Sequence, residues 1–228
     1  MTRVLFLSAA VAALASPALA QDETDNWTVV FGAATDYRSK GVSKTRGDPY
    51  AYLGVEWQSD SQQVYVALDT ARVQQSFGSE LEVDTTIGWR PEAAGFSFDF
   101  SAKYRYHPGA DEPADNEHFE FGADVSRSIG PVSGRLRVQY SPDNSGSSGY
   151  FTYVEGRLGY RVTPKLRATA AVGHRYTEDA IDYTAWNVGL NYRFSDNVDT
   201  DLRWYDTDKN NLGPQFEDAA VFALNFAF

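Results

Sequence analysis

The chain has 228 residues, no cysteine, and 31 acidic against 20 basic side chains, for a formal net charge of −11. That acidity excludes a partner held by phosphate neutralisation, so no nucleic acid is expected, and the lack of cysteine excludes a small disulfide scaffold. Fourteen Tyr, fourteen Phe and five Trp are more rings than a disordered or solenoid chain carries, and they need an interface to sit at.

At the N-terminus Arg3 precedes an apolar run from Val4 to Leu14, and Ala18-Leu19-Ala20 places small residues at cleavage positions. Residues 1–20 therefore read as a removed signal peptide, too short to anchor, with residues 21–228 forming one domain. No other long apolar run exists, which excludes helical membrane spans. Mean hydropathy is mildly negative, but a barrel whose strands alternate lipid-facing and lumen-facing residues averages to the same value. Periodicity has to decide.

From Trp27 the apolar residues recur at period two, the spacing of strands. The first stretch, 27 to 38, sets Trp27, Val29, Phe31, Ala33 and Tyr37 against Thr28, Gly32, Asp36 and Arg38. The stretches 50 to 58 and 62 to 70 follow across a brief turn, and a longer loop is expected around 74 to 79. Next come 81 to 90 and 96 to 106; in the latter Phe96, Phe98, Phe100, Ala102, Tyr104 and Tyr106 alternate with Ser97, Asp99, Ser101, Lys103 and Arg105. A soluble sheet would not turn such a ring-rich face to water. Further stretches run 119 to 125, 135 to 140, 152 to 162, 166 to 175, 186 to 194 and 198 to 204. In the last, 219 to 228, Phe222, Leu224, Phe226 and Phe228 alternate with Val221, Ala223, Asn225 and Ala227.

Short turns are expected after even strands and long loops after odd ones. Rings gather at strand ends: Trp27, Trp57, Trp89, Phe96, Tyr160, Phe194 and Phe228 at one end, and Tyr37, Tyr104, Tyr106, Phe119, Tyr140, Tyr176 and Trp204 at the other. This is the pattern of outer-membrane barrels with two aromatic girdles. The predicted fold is all-β, a single transmembrane antiparallel up-and-down barrel of about twelve strands. The final amphipathic strand, ending on an aromatic ring, resembles the targeting signal that such barrels present to the barrel-assembly machinery, with Ala223 where that signal usually has Gly.

The segment Thr35-Asp36-Tyr37-Arg38-Ser39-Lys40-Gly41-Val42-Ser43-Lys44-Thr45, with Asp48-Pro49 after it, resembles the N-terminal motif of the TorF family of porins, S-D-Y-R-F-R-G-I-S-Q-T followed by a Pro. Asp36, Tyr37, Arg38, Gly41, Ser43, Thr45 and Pro49 match; Ser39 replaces an aromatic and Lys44 replaces Gln. The resemblance implies an outer-membrane barrel that passes solutes, without naming them.

Read this way, the chain is an outer-membrane porin of a Gram-negative-type bacterium, surrounded by lipid and passing small hydrophilic solutes without a cofactor. The expected lumen-lining charges are Arg38, Asp69, Glu82, Asp84, Asp99, Lys103, Arg105, Glu120, Asp124, Arg135, Arg137, Arg157, Arg161, Arg167, Arg175 and Arg193. The acids fall on strands three to six and the arginines on strands seven to ten, so one wall is acidic and the facing wall basic, favouring anionic or zwitterionic solutes. Mutual neutralisation by ion pairs is the competing expectation. The loop 36 to 48 could fold inward as a constriction or cap the barrel. Asp206, Asp208, Asn210 and Glu217 have the spacing of a calcium loop, although an acidic solvated loop fits the flanking strands better. His107, Asp111, Glu112, Asp115, Glu117 and His118 form a looser divalent-ion candidate. A soluble periplasmic β-barrel or sandwich binding a small ligand is the alternative from another class. An outer-membrane hydrolase would need a serine beside His107, His118 or His174, and G-x-S-x-G is absent.

Overall fold

The computed structural model describes residues 26–228 apart from 77, 112–114 and 147. The expected signal peptide and Glu112 lie outside the described residues. Among the described residues twelve long strands follow one another: β1 Trp27–Ala34, β2 Tyr50–Gln58, β3 Val64–Ser76, β4 Ser79–Trp89, β5 Phe96–Tyr106, β6 Glu117–Ile129, β7 Val132–Ser141, β8 Phe151–Arg161, β9 Leu166–Thr177, β10 Tyr183–Arg193, β11 Val198–Thr207 and β12 Ala219–Ala227. Each pairs antiparallel with the next, and β1 also pairs with β12, so the sheet closes without an edge. Closure is what a strand needs in hydrocarbon, where an unpaired backbone group has no water to turn to. At the seam Phe31 faces Phe226, and their stacked rings lie 5.1 Å apart.

Period two gives the barrel its two surfaces. Ile87, Phe100, Phe121, Leu136, Leu158, Val188, Leu202 and Phe222 are exposed on the outside, an apolar belt that suits lipid. Their neighbours point inward and carry most of the charge. Large inward side chains lie flat because the adjacent strand supplies glycine opposite them: a Cβ on Gly88 would sit 2.2 Å from the Tyr65 ring, and one on Gly189 would sit 2.8 Å from Arg203 Cζ.

Two expectations need correction. Tyr37 is not a girdle residue: β1 stops at Ala34, the chain bends inward, and Tyr37 is buried, stacked on Tyr50 at 4.8 Å. Thr35 anchors the bend, donating its amide to the Phe222 carbonyl (3.0 Å) and accepting the Phe222 amide on its hydroxyl (3.1 Å). Nor is there a long loop around residues 74 to 79, because β3 and β4 run on to Ser76 and from Ser79 past a register shift. Val73, buried on that extension, joins the inward cluster of Ala34, Tyr37, Tyr50, Tyr52, Ala71, Tyr205, Val221 and Ala223. That cluster fills the lumen beside β1–β3 and β11–β12.

Phe100→Arg, which puts a charge on the apolar belt, should cost about 2–4 kcal/mol, while Ser101→Arg on the inner face is tolerated. A lipid-refolding titration reads both; equal tolerance would overturn the assignment of faces.

Candidate functional site

The site begins with the segment after β1. Asp36 is buried, and its carboxylate accepts hydrogen bonds from Arg38 Nε, Ser43 Oγ and Thr45 Oγ1 (the last at 2.8 Å). A carboxylate out of water has to be satisfied in this way, so the chain folds around it. Arg38–Ser39 pairs with Val42–Ser43 in a small hairpin whose tip, Lys40-Gly41, has φ of 52° and 87°. Gly41 is required there twice over, since positive φ favours glycine and a Cβ would meet Ala185 Cβ at 2.2 Å.

The hairpin crosses the lumen. Tyr37 Oη donates to Glu82 on β4 (2.8 Å), Lys40 Nζ reaches both Glu120 oxygens on β6 (3.1 and 2.9 Å), and Arg38 Nη1 donates to the Glu217 carbonyl (2.7 Å). Backbone bonds tie Ser43 to Gln215 and Gln74 to Lys44, each at 2.9 Å. The loop 36 to 48 is therefore an internal bar. Burial lowers the Lys40 ammonium to about 7, with Glu120 opposing the shift and Arg105 and Arg175 adding to it.

The charged walls are not simple opposites. On the acidic side Asp84 takes two bonds from Arg105 (2.8 and 2.7 Å) and pairs with Lys103 at 2.9 Å. Arg105 also reaches Glu82 and Glu120, each at 3.3 Å, and Lys44 lies 3.8 Å from Glu82. Nearer the short turns Arg90 clamps Glu56 (2.6 and 3.0 Å), meets Asp99 at 3.2 Å and lies 3.6 Å over the Tyr65 ring. Five carboxylates, Glu56, Glu82, Asp84, Asp99 and Glu120, thus share five cations, Lys40, Lys44, Arg90, Lys103 and Arg105. Asp69 stands apart, with one buried oxygen that no hydrogen bond reaches.

The basic side has a different balance. Arg137 binds Asp124 (2.8 and 2.6 Å), while Arg135 and Arg157, directly opposite on β7 and β8, share Glu155 at 2.6 and 3.3 Å. Arg167 reaches over Gly159 to hydrogen-bond Ser133. The Nε atoms of Arg135, Arg157 and Arg175 are buried without a hydrogen bond. Among the described residues no carboxylate oxygen lies within 4.0 Å of Arg161, Arg167, Arg175 or Arg193. Arg161 is exposed at the short-turn rim and donates to the Gly130 carbonyl (3.1 Å), and Arg193 is half-exposed at the same end.

Accessibility follows the same division. The inward positions of β2, and those of β4 before Arg90, are buried, as are those of β11 and, from Val221 on, β12. Ser97, Ser101, Gly122, Asp124, Ser126, Ser133, Arg135, Arg137, Gln139, Arg157 and Arg167 are half-exposed, tracing a wet track down β5–β9. Sequence reasoning placed most of these charges on the inner face but left Glu56, Arg90, Glu155, Asp199, Asp201 and Arg203 off the candidate set. Arg203 is bound by Asp201 (3.0 and 2.9 Å) and Asn187 (2.7 Å), and Asp199 by Asn191 and Asn225, both at 2.8 Å. Lys40 was missed because nothing in a loop's composition says which way its tip points.

The remaining candidates are scattered. Asp206 accepts the Thr207 amide and Asp208 the Thr184 amide, while the Glu217 side chain is exposed and Asn210 sits in the turn between them. Among the described residues no three His, Cys, Asp or Glu side chains come together as a metal would need. His107 turns inward to Glu82 (3.2 Å) rather than towards Asp111 or Asp115. His174, on the outside, meets Thr184 Oγ1 at 3.0 Å. Ser145, His118 and Glu120 line up at 2.8 and 3.4 Å, the order of a hydrolytic triad. Glu120 is already taken by Lys40 and Arg105, however, and the Ser145 amide points at the same Nδ1 (3.4 Å). The ring anchors Ser145 in the segment after β7.

A family model described as "Bacterial protein of unknown function (Gcw_chp)" matches residues 20–222. The chain belongs to the Gcw_chp family. No curated protein matches it. Among solved structures it is similar to a NanC porin (TM-score 0.62, 9% identity, 88% of this chain and 98% of that one) and to a KdgM porin (TM-score 0.59, 9% identity, 88% and 98%). At that identity the likeness is one of fold: a narrow outer-membrane-type barrel of matching length.

Asp36→Ala strands Arg38 and two hydroxyls in the interior, and should destabilise the hairpin by about 3 kcal/mol, as breaking a buried pair does. Amide exchange at Tyr37 and Lys44, which the hairpin now protects, checks this: protection should fall there while that of β7–β9 is unchanged.

Proposed function

We propose that this Gcw_chp protein is a bacterial outer-membrane porin of the TorF type, passing small anionic or zwitterionic hydrophilic solutes passively along the wet track of β5–β9. The carrying observation is the charge balance there: Arg135, Arg137, Arg157 and Arg167 face only Asp124 and Glu155, whereas on the filled side five carboxylates share five cations and the further acids Asp69, Asp199 and Asp201 outnumber Arg203. In a narrow passage with low-dielectric walls an unmatched charge acts strongly on a solute, and guanidinium presents paired donors that suit a carboxylate. The motif at Asp36–Thr45 supports the TorF assignment, and the aromatic girdles and apolar belt support residence in lipid. Export through the N-terminal signal, assembly through the last strand and function without a cofactor complete the reading. The same belt disfavours a soluble ligand-binding barrel; release of the native protein from cells by osmotic shock, without detergent, would reinstate that alternative.

Arg157→Gln together with Arg167→Gln removes two cations and strands no carboxylate, since Glu155 keeps Arg135 and Arg167 bonds only Ser133. In planar bilayers under a salt gradient the wild-type reversal potential should show anion preference, and the double variant should move to or past zero. An unchanged reversal potential would defeat the proposal.

A further inference from the structure

At its long-loop end the track of half-exposed residues runs up to the tip of the inward hairpin. Gln139 is the last half-exposed inward residue of β7, and it donates to Glu120 at 3.4 Å; the other Glu120 contacts include Lys40 Nζ. Lys40 Nζ lies 4.8 Å from the centroid of the buried Phe151 ring, and Arg175 Cζ lies 4.4 Å from the same centroid. Two cations thus share one ring, and Arg175 has neither a carboxylate within 4.0 Å nor a hydrogen bond at Nε.

The two neighbouring cations of Glu120 differ in their freedom. Arg105 is fixed by Asp84, Glu82 and Glu120 together. Lys40 has one carboxylate partner, and Glu120 would keep Arg105 at 3.3 Å, His118 at 3.4 Å and Gln139 at 3.4 Å if Lys40 left. Leaving therefore strands no acid. Lysine carries its charge on a flexible stem and can turn without a backbone change, and the hairpin backbone is held separately by Asp36, Gln215 and Glu217.

We propose that Lys40 is a solute-contacting, specificity-determining residue: a carboxylate anion lodged at Arg175 takes Lys40 from Glu120, exchanging one carboxylate partner for another. This rests on the anion-porin reading above and adds to it a saturable carboxylate site at the constriction, built from a loop cation and a wall cation.

Two variants separate this role from a purely structural latch. Lys40→Met removes the ligand, whereas Glu120→Gln removes the competitor and leaves Lys40 available. With potassium acetate as the probe, and heat-modifiable gel mobility confirming a folded barrel, conductance is measured against acetate concentration. Lys40→Met should raise the half-saturating acetate concentration severalfold and Glu120→Gln should lower it. A latch alone would make both variants shift conductance in the same direction, and that result, or no shift in either, overturns the proposal. The Arg157→Gln, Arg167→Gln double variant keeps the two readings apart. If it loses anion preference while Lys40→Met leaves acetate saturation untouched, the porin reading stands and only the Lys40 site fails.

Discussion

Asp36 is a carboxylate that the fold removes from water, and the geometry of the lumen depends on how it is satisfied. Its partners, Arg38, Ser43 and Thr45, come from the next nine residues, so satisfying it curls the chain back on itself directly after β1. Curled, the segment is short enough to enter the barrel, and once inside it carries Tyr37, Lys40 and Lys44 to the acids of β4 and β6. Without that hub, Glu82 and Glu120 would lose cations that reach them only from the loop.

Bringing Lys40 and Lys44 to this wall also divides the interior. Buried ion pairs gain little net stability against the cost of desolvating them, but a matched set can be packed tightly, and the side of the barrel beside β1–β4 is filled in this way. What remains open is the wall where matching is incomplete. Charge and access therefore run together on these walls: the carboxylates that find cations pack, and the arginine-rich surplus of β7–β9 stays half-exposed.

Much of this was legible in the chain. Strict alternation in stretches such as Phe96 to Tyr106 fixes both the strand and its faces, because a slip of one residue would turn every ring inward. The alternation misled at Tyr37, which keeps phase with Phe31 and Ala33 although the strand has ended; the bend comes from Thr35 bonding to Phe222, a partner 187 residues away. Only the tip of the β3–β4 hairpin, residues 74 to 79, reads as a loop, whereas Val73 on its extension is buried by contacts from other strands. Pairing was the least legible. Lys103 and Arg105 alternate correctly within an acidic neighbourhood, but that they neutralise it depends on register, Asp84 opposite Arg105, which no local pattern states. Of the seven residues that carry the resemblance to the TorF motif, all but Pro49 lie in the segment that folds into the inward hairpin.

A strongly acidic chain with an arginine-rich inner wall looks contradictory until distance is considered. Asp111, Glu178, Asp179, Asp208, Glu217 and Asp218 are exposed at the long-loop end, where salt screens their field within about 8 Å at physiological ionic strength. Their field reaches little of the interior. Arg135, Arg157 and Arg167 act at contact distance between low-dielectric walls, where screening is weak and the Coulomb interaction is several times its value in water. On the anion-porin proposal, selectivity is set by the few charges nearest the solute path, and the sign of the whole chain says little about it.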